Sequence, residues 1–481
     1  MSNLIAALGT SGNALDVLQQ ALGVIQTNVD NSSTPGYASQ QLNITAEPFD
    51  VATGAAGGIA AQGLISSRDS YADTQVQTQL QTLGLYTAQA QSTATIQSLF
   101  DVSGTTGISA ALSNLYSAFS AWSASPTDPT AGQTVISDAS ALASSVQELS
   151  QSLNSTANQL NQQVASTVSQ INTIAAQIQQ YNQTKLQNPQ PDPGADANLE
   201  NDLENLSQLT NFTALSQPDG TVTVLIGGGT PLVIGSQQYQ ISASASVDNN
   251  PPAANPQSPP TAHVLDAQGN DITADITSGQ LGGLLDSRNR VLASIIGDSQ
   301  QQGSLNQFAQ TFADTVNNIL ESGTVSTAAG AAQGSPLFTY NNSDATLAAG
   351  SLAVNPSITP SQLAPVDSSG NANGNANQLA GLADPNNTQS QIDGEDFVTF
   401  YSGIAAGAGQ ENATATSNQT LQQQVLTTAQ SQRNQISGVS LDGQAAEVLQ
   451  FQRAYQAVSQ VLTIINDLAD SILALVPQQP S

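Results

Sequence analysis

Two apolar stripes, one near each end of the chain, constrain its fold more than anything between them. In the N-terminal stretch Leu8, Leu15, Leu22 and Val29 recur every seven residues, with Leu4, Leu18 and Ile25 on the alternate positions and Ser11 as the one break. In the C-terminal stretch Val448, Phe451, Tyr455, Val458, Leu462, Ile465, Ala469, Ile472 and Val476 keep an unbroken three-four spacing, and Val461, Ile464, Leu468 and Leu475 form a second stripe beside it. This spacing lines up side chains along one side of a helix, the pattern of a coiled-coil seam. A seam needs a partner, so the spacing predicts that the two ends form one element. A lone arm of this kind buries too little to stay ordered, and the expectation is that it orders when the other end and neighbouring copies cover it.

The N-terminal helix runs into "IQTNVDNSSTPGYASQ", residues 25–40. Asn28 and Asn31 tolerate left-handed backbone and are expected to close the helix. Thr34, Pro35, Gly36 and Tyr37 suit a type II turn, with Pro fixing φ and Gly taking the positive φ. Long helices are expected from Tyr71 to Lys185, where Val146, Leu149, Leu153, Ala157, Leu160, Val164, Val168, Ile171, Ala175 and Ile178 hold another three-four stripe. After "NPQPDPG" (188–194) the pattern changes to short strands, with a hairpin turn at Pro218-Asp219-Gly220. Helix returns at "LGGLLDSRNRVLASIIGDSQ" and "LNQFAQTFADTVNNILES", and again from Phe397.

The predicted class is mainly α with β-rich inserted domains (α+β). Paired N- and C-terminal coiled-coil helices join a helical-bundle middle domain and an outer β/loop domain. The segments are 1–45 (inner coiled coil, N-terminal part), 46–198 (helical bundle, first part), 199–277 (β-rich), 278–322 (bundle, second part), 323–391 (variable loop/β outer region), 392–436 (bundle, third part) and 437–481 (inner coiled coil, C-terminal part). The 323–391 segment is rich in Gly, Ala, Asn and Ser, hence its assignment as loop-dominated.

Charge narrows the partners. The net charge is −29, and the only cations are Arg68, Lys185, Arg288, Arg290, Arg433 and Arg453. Only Arg288 and Arg290 cluster, which argues against nucleic acid and anionic membrane, both of which need grouped cations. Charged residues make up 9% of the chain, so Gln, Asn, Ser and Thr supply its polarity, a composition suited to packing against copies of itself. Cysteine is absent, which removes disulfides and thiolate metal sites. No basic-then-apolar leader opens the sequence and no apolar run is long enough to span a bilayer, so any export is expected to use a route without a cleavable signal.

Chemistry finds few candidates. His263, the single histidine, sits in "TAHVLDAQG" with no second histidine or cysteine to join it, and reads as structural. Asp393, Glu395 and Asp396 in "DGEDF" read as acids beside a turn and a helix start. "IGGGT" (226–230) lacks the Lys and the helix of a phosphate loop. The expectation is no catalytic site, no cofactor and no metal.

The sequence resembles the bacterial flagellar rod, hook and hook-associated proteins. "NVDNSSTPGYASQ" is similar to their N-terminal Asn-x-x-Asn-x-x-Thr-x-Gly-Tyr signature, and "SGVSLDGQAAEVLQFQRAYQAVSQVLTIINDLADSIL" (437–473) to their shared C-terminal motif. The interior runs "SNLYSAFSAWSASPTDPTAGQTVISDASALASSV", "VSQINTIAAQIQQYN", "QLGGLLDSRNRVL" and "LNQFAQTFADTVNNI" resemble the hook-associated protein 1 family, at the junction of hook and filament. The resemblance spans most of the chain outside 323–391. It departs at Ser39 and Gly132, where the family often has Arg, and at Gly443-Gln444, where it often has acids.

The resemblance implies a structural subunit in the extracellular bacterial flagellum, a homo-oligomer in a helical ring. It implies flagellar type III export, and hook protein and a second hook-associated protein as neighbours. A cytoplasmic export chaperone would cover the C-terminal seam before export. Hook protein or the second hook-associated protein is the alternative within the superfamily; a secreted adhesin is the alternative outside it. The helical block from Val135 to Tyr181 argues against hook protein, and the matched terminal stripes argue against an adhesin.

Overall fold

The computed structural model describes residues 2–49, 57–100, 106–247, 253–388 and 391–474. Its centre is α4 (Pro129–Gln187), a 59-residue helix that starts where Asp128 accepts a hydrogen bond from Thr130 N and Pro129 takes the first turn. It ends before the proline-rich break, where continued helix would lack donors. Its three-four stripe is buried throughout, and Val146, Leu153, Ile171, Ala175 and Ile178 have no exposed surface. Around it pack α3 (Gly107–Ala124), α5 (Pro193–Leu209) and α6 (Gly279–Asp286), the last continuing through a π-helical turn into α7 (Ala293–Ile296).

The β material is pinned to this spine by two asparagines. Strands β3 (Phe212–Ser216), β4 (Val222–Ile226), β5 (Thr230–Ile234) and β6 (Gln237–Gln238) form an antiparallel four-stranded sheet in chain order. Its first turn is at Pro218-Asp219-Gly220, with Gly220 at φ 82°. Asn182 of α4 donates to the carbonyls of Val222 and Gly235, both at 2.8 Å, and accepts from Val222 N. Asn172 makes the same kind of clamp on Ile241, ahead of the two-stranded sheet β7 (Ser242–Ser246) and β8 (Thr261–Leu265).

An aromatic cluster closes the other side of the bundle. Phe308 and Phe312 of α8 (Ser304–Glu321) meet Phe397, with ring centroids 5.0 Å apart for Phe312 and Phe397. Between 323 and 388 the chain is largely loop with a few short elements. It carries β9 (Phe338–Thr339), α9 (Ala348–Ser351), β10 (Ala353–Val354) and α10 (Gly374–Ala380), packed on α3, α4 and α8. Leu337, Phe338, Leu352, Leu363, Leu379 and Leu382 are buried there. These anchors are spaced singly among polar and small residues, so no period betrays them. Gly132 belongs to this packing, because a Cβ there would meet Pro360 at 3.1 Å.

The short pair β11 (Gln391–Ile392) and β12 (Glu395–Asp396) leads into α11 (Phe397–Ser437), whose first turn is capped by Asp396 accepting from Val398 N and Thr399 N. Helix α11 returns alongside α2 (Ser70–Ser98) toward the chain ends. There α1 (Ser2–Asp30) and α12 (Leu441–Ala474) lie together, flanked by the hairpin of β1 (Gln40–Ala46) and β2 (Ile59–Ser66). The expected boundary at 45–46 cuts through β1. Both strands of the hairpin pack on α1.

Candidate functional site

Helices α1 and α12 run antiparallel, their joined ends at Asn28 and Gln444. The buried face of α1 is Val17, Leu18, Ala21, Ile25 and Asn28. Of the predicted seam, Leu18 and Ile25 are therefore inside, Leu4, Leu15 and Leu22 are half-buried, and Leu8 and Val29 are exposed. On α12, Val448, Phe451, Val458, Leu462, Ile465 and Ala469 are half-buried, whereas Tyr455 and Ile472 are exposed. Leu475 and Val476 lie outside the described residues. The second stripe is open: Val461, Ile464 and Leu468 are 48%, 58% and 49% exposed.

The signature turn is held by Asn28 in a way its sequence position did not announce. Neither Asn28 nor Asn31 adopts left-handed backbone; among the described non-glycine residues only Asp393 does. Asn28 remains helical and its side chain, with no exposed surface, is a hub. Its amide donates to Gln40 O at 2.7 Å and to Gln444 Oε1 at 3.0 Å, and its carbonyl accepts from Tyr37 Oη and Gln40 N, both at 2.9 Å. All four hydrogen-bonding positions of the carboxamide are thus satisfied. One side chain joins α1, the turn, β1 and α12. The available signal was its spacing from Val17, Ala21 and Ile25, which puts it on the buried face.

The turn then docks on the body. Asn31 caps α1 by donating to Thr27 O at 2.9 Å and accepts from Thr34 Oγ1 at 3.1 Å. Tyr37 N donates to Thr34 O, with Gly36 at φ 72°. Gly36 lies so close to α5 that a Cβ would meet Ala197 O at 2.4 Å, which no side chain tolerates. Arg68, between β2 and α2, donates to Gly36 O and forms ion pairs with Asp73 at 3.2 Å and Glu200 at 3.3 Å. The chain leaving α11 joins the same knot: Ser437 O accepts from Ser39 N and Ser67 Oγ, and Ser437 Oγ accepts from Asp69 N. Arg433 pairs with Glu204 beside it.

The turn, Arg68, Asp73, Arg433 and Ser437 line a polar cleft of about 300 Å³, with Glu200 behind Arg68 and outside its wall. Burial, reinforced by the neighbouring Asp73 carboxylate, outweighs Arg68 and pushes Glu200 up to about 7. Burial raises Asp73 and Tyr37 as well. Sequence reasoning missed Arg68, Glu200 and Ser437, because their meeting depends on packing between segments far apart in the chain.

The other sequence candidates are local fixtures. His263 Nδ1 is 2.7 Å from Asp271 and its Nε2 is 3.0 Å from Thr261 Oγ1, bonds that tie β8 to the turn following it. The glycines of "IGGGT" make the turn between β4 and β5, with Gly227 and Gly228 at positive φ. Among the described residues no group of three His, Cys, Asp or Glu side chains is placed to hold a metal, and no helix is long and apolar enough to cross a membrane.

Comparison with known proteins brings in the families. The family described as "Flagellar hook-associated protein FlgK helical domain" matches residues 93–338, just over half of the chain, and "Flagellar basal body rod FlgEFG protein C-terminal" matches 430–475. Flagellar hook-associated protein 1 of Bacillus subtilis is 24% identical over 520 residues, covering 98% of each chain. The Escherichia coli protein of that name is 23% identical over 569 residues, covering 98% of this chain and all of its own. The Salmonella typhimurium protein is 26% identical over 317 residues, covering 63% of this chain and 54% of its own. A solved structure, the flagellar hook junction protein FlgK of Burkholderia pseudomallei, is 25% identical with a TM-score of 0.46, over 56% of this chain and 46% of that one.

Proposed function

The chain belongs to the FlgK family of flagellar hook-associated proteins, and from that premise we propose that it builds the hook–filament junction by helical self-assembly through its paired terminal helices. Its role is structural, at the bacterial flagellum. The observation that carries the proposal is the open second stripe of α12, Val461, Ile464 and Leu468, beside a seam that α1 covers only in part. Contiguous exposed apolar surface on an otherwise polar chain marks an association surface. The Asn28 hub and the Gly36 contact fix how the pair leaves the body, so each copy presents the stripe in one orientation.

In this reading the protein is exported and works outside the cell. Its axial neighbours are hook protein and a second hook-associated protein. A cytoplasmic chaperone covers Val448–Ile472 until export, preventing premature association of that face. The test is a strain producing the chain without residues 441–481. The expected result is hooks that carry no filaments, with flagellin shed into the medium and loss of swimming. Normal filaments on such cells would overturn the proposal.

A further inference from the structure

Five of the six cations are used inside the chain. Arg68 binds Asp73 and Glu200, Lys185 binds Asp196, Arg290 binds Asp286 and Glu411, and Arg433 binds Glu204. Arg288 is sealed in the core, where it donates to Pro260 O. Arg453 alone is exposed and has no ion pair among the described residues. No acid lies within one turn of it on α12. Helical geometry, about 100° per residue, places it on the same side as Leu449, Val461, Ile464 and Leu468, away from the seam that faces α1. An isolated cation at the edge of an open apolar stripe, on a chain of net charge −29, selects an acidic partner surface.

Helix α1 offers that surface. Its side chains carry only two charges, Asp16 and Asp30, both exposed and on the side opposite Ala21 and Ile25. Within one copy Asp16 and Arg453 cannot meet, since both point away from the shared seam. Their heights nevertheless match. Arg453 stands nine residues along α12 from Gln444, and Asp16 twelve residues along α1 from Asn28. At ~1.5 Å per residue the two sit within about 5 Å of each other along the pair, whereas Asp30 lies on the far side of the joint.

We infer that the outward face of α12 docks on the outward face of α1 of a second copy, with Arg453 paired to Asp16 of that copy. This contact rests on the self-assembly proposed above and specifies its geometry. It is heterologous, one face of each copy meeting a different face of the next, so repetition generates a ring or helix and not a closed dimer.

The absence of native cysteine makes the contact testable by cross-linking. The full-length D16C/R453C variant is treated with a short bis-maleimide, once as dilute monomer and once in isolated flagella. The expected result is a ladder of covalent multimers from flagella, no cross-link in the monomer, and no ladder from either single variant. A variant that enters flagella but gives no ladder, or a cross-link formed inside the dilute monomer, overturns the contact. Charge reversal decides independently. R453E is expected to weaken self-association about fivefold, the worth of an exposed ion pair, and D16R/R453E to restore it. No recovery in the double variant, or no loss in R453E, overturns the pairing. Absence of the unsubstituted chain from isolated flagella would instead sink the self-assembly reading itself.

Discussion

The stripe on α4 and the stripes on α1 and α12 share one spacing and meet opposite fates. From Val146 to Ile178 every apolar position of the α4 stripe is buried, because α3, α5, α6 and the sheet surround it. On α12 the corresponding residues are at best half-buried, since α1 is the main element packed on it. Periodicity therefore says that a face is apolar and leaves open how many neighbours the chain supplies. Where the chain supplies too few, the deficit is a binding surface.

The comparison breaks most visibly under substitution of matched isoleucines. Ile171→Ala removes a fully buried side chain and is expected to cost about 2–5 kcal/mol of unfolding free energy. A lowered midpoint in urea denaturation of the purified monomer reads it directly. Ile464→Ser touches a side chain that is mostly solvent-exposed in the single chain. It should leave that midpoint within about 0.5 kcal/mol and abolish incorporation into flagella. A large loss of monomer stability from Ile464→Ser would show that the stripe is covered within one copy.

Asn28→Ala is next in size. It strands Tyr37 Oη, Gln40 N, Gln40 O and Gln444 Oε1 at a partly buried joint, a penalty of about 1–3 kcal/mol for each group left unsatisfied, eased wherever water enters. The loss is expected to fall on the terminal pair and not on the bundle. Limited proteolysis should clip α1 and α12 faster while the 107–322 region stays intact and its unfolding midpoint is unchanged. Equal acceleration across the whole chain would mean that the termini and the body unfold as one unit.

Much of this division was legible in the sequence. The class, the helical segments and the pairing of the ends follow from periodicity, which local spacing fixes. The Pro218-Asp219-Gly220 and Pro35-Gly36 turns follow from what φ each residue permits. The packing of 323–391 was not legible, because single leucines such as Leu352 and Leu379 carry no period of their own. The joint was legible only in part. Gly36 announced a turn but not its contact with α5, and Asn28 looked like a backbone device where it is a side-chain hub. Two of the family departures acquire local reasons: Gly132 admits Pro360, and Gln444 completes the Asn28 network.

The smallest expected effect is also the sharpest test of the joint that separates the two regions. Glu200 has its carboxyl pushed up to about 7 in the fold, against an ordinary 4.5. Below the ordinary value both folded and unfolded chains hold the proton, and the group contributes no pH dependence. Between about 5 and 7 the fold retains a proton that the unfolded chain releases, so stability falls as pH rises, and above 7 the full penalty persists. Asp73, raised by burial, and Asp202, pushed up to about 6 by burial, act in the same direction. The lowered carboxyls of Asp219, Asp266 and Asp367 act in the opposite direction, but below about pH 4, outside this window. Glu200→Gln keeps an acceptor for Gln77 and removes the titration. It is expected to reduce the slope of stability between pH 5 and 7 by about half, and to slow amide exchange of Gly36 to Ser39 at pH 8. A variant with the slope of the unsubstituted chain would show that Glu200 does not take up a proton in this window and that its carboxylate stays ionised beside Arg68 throughout.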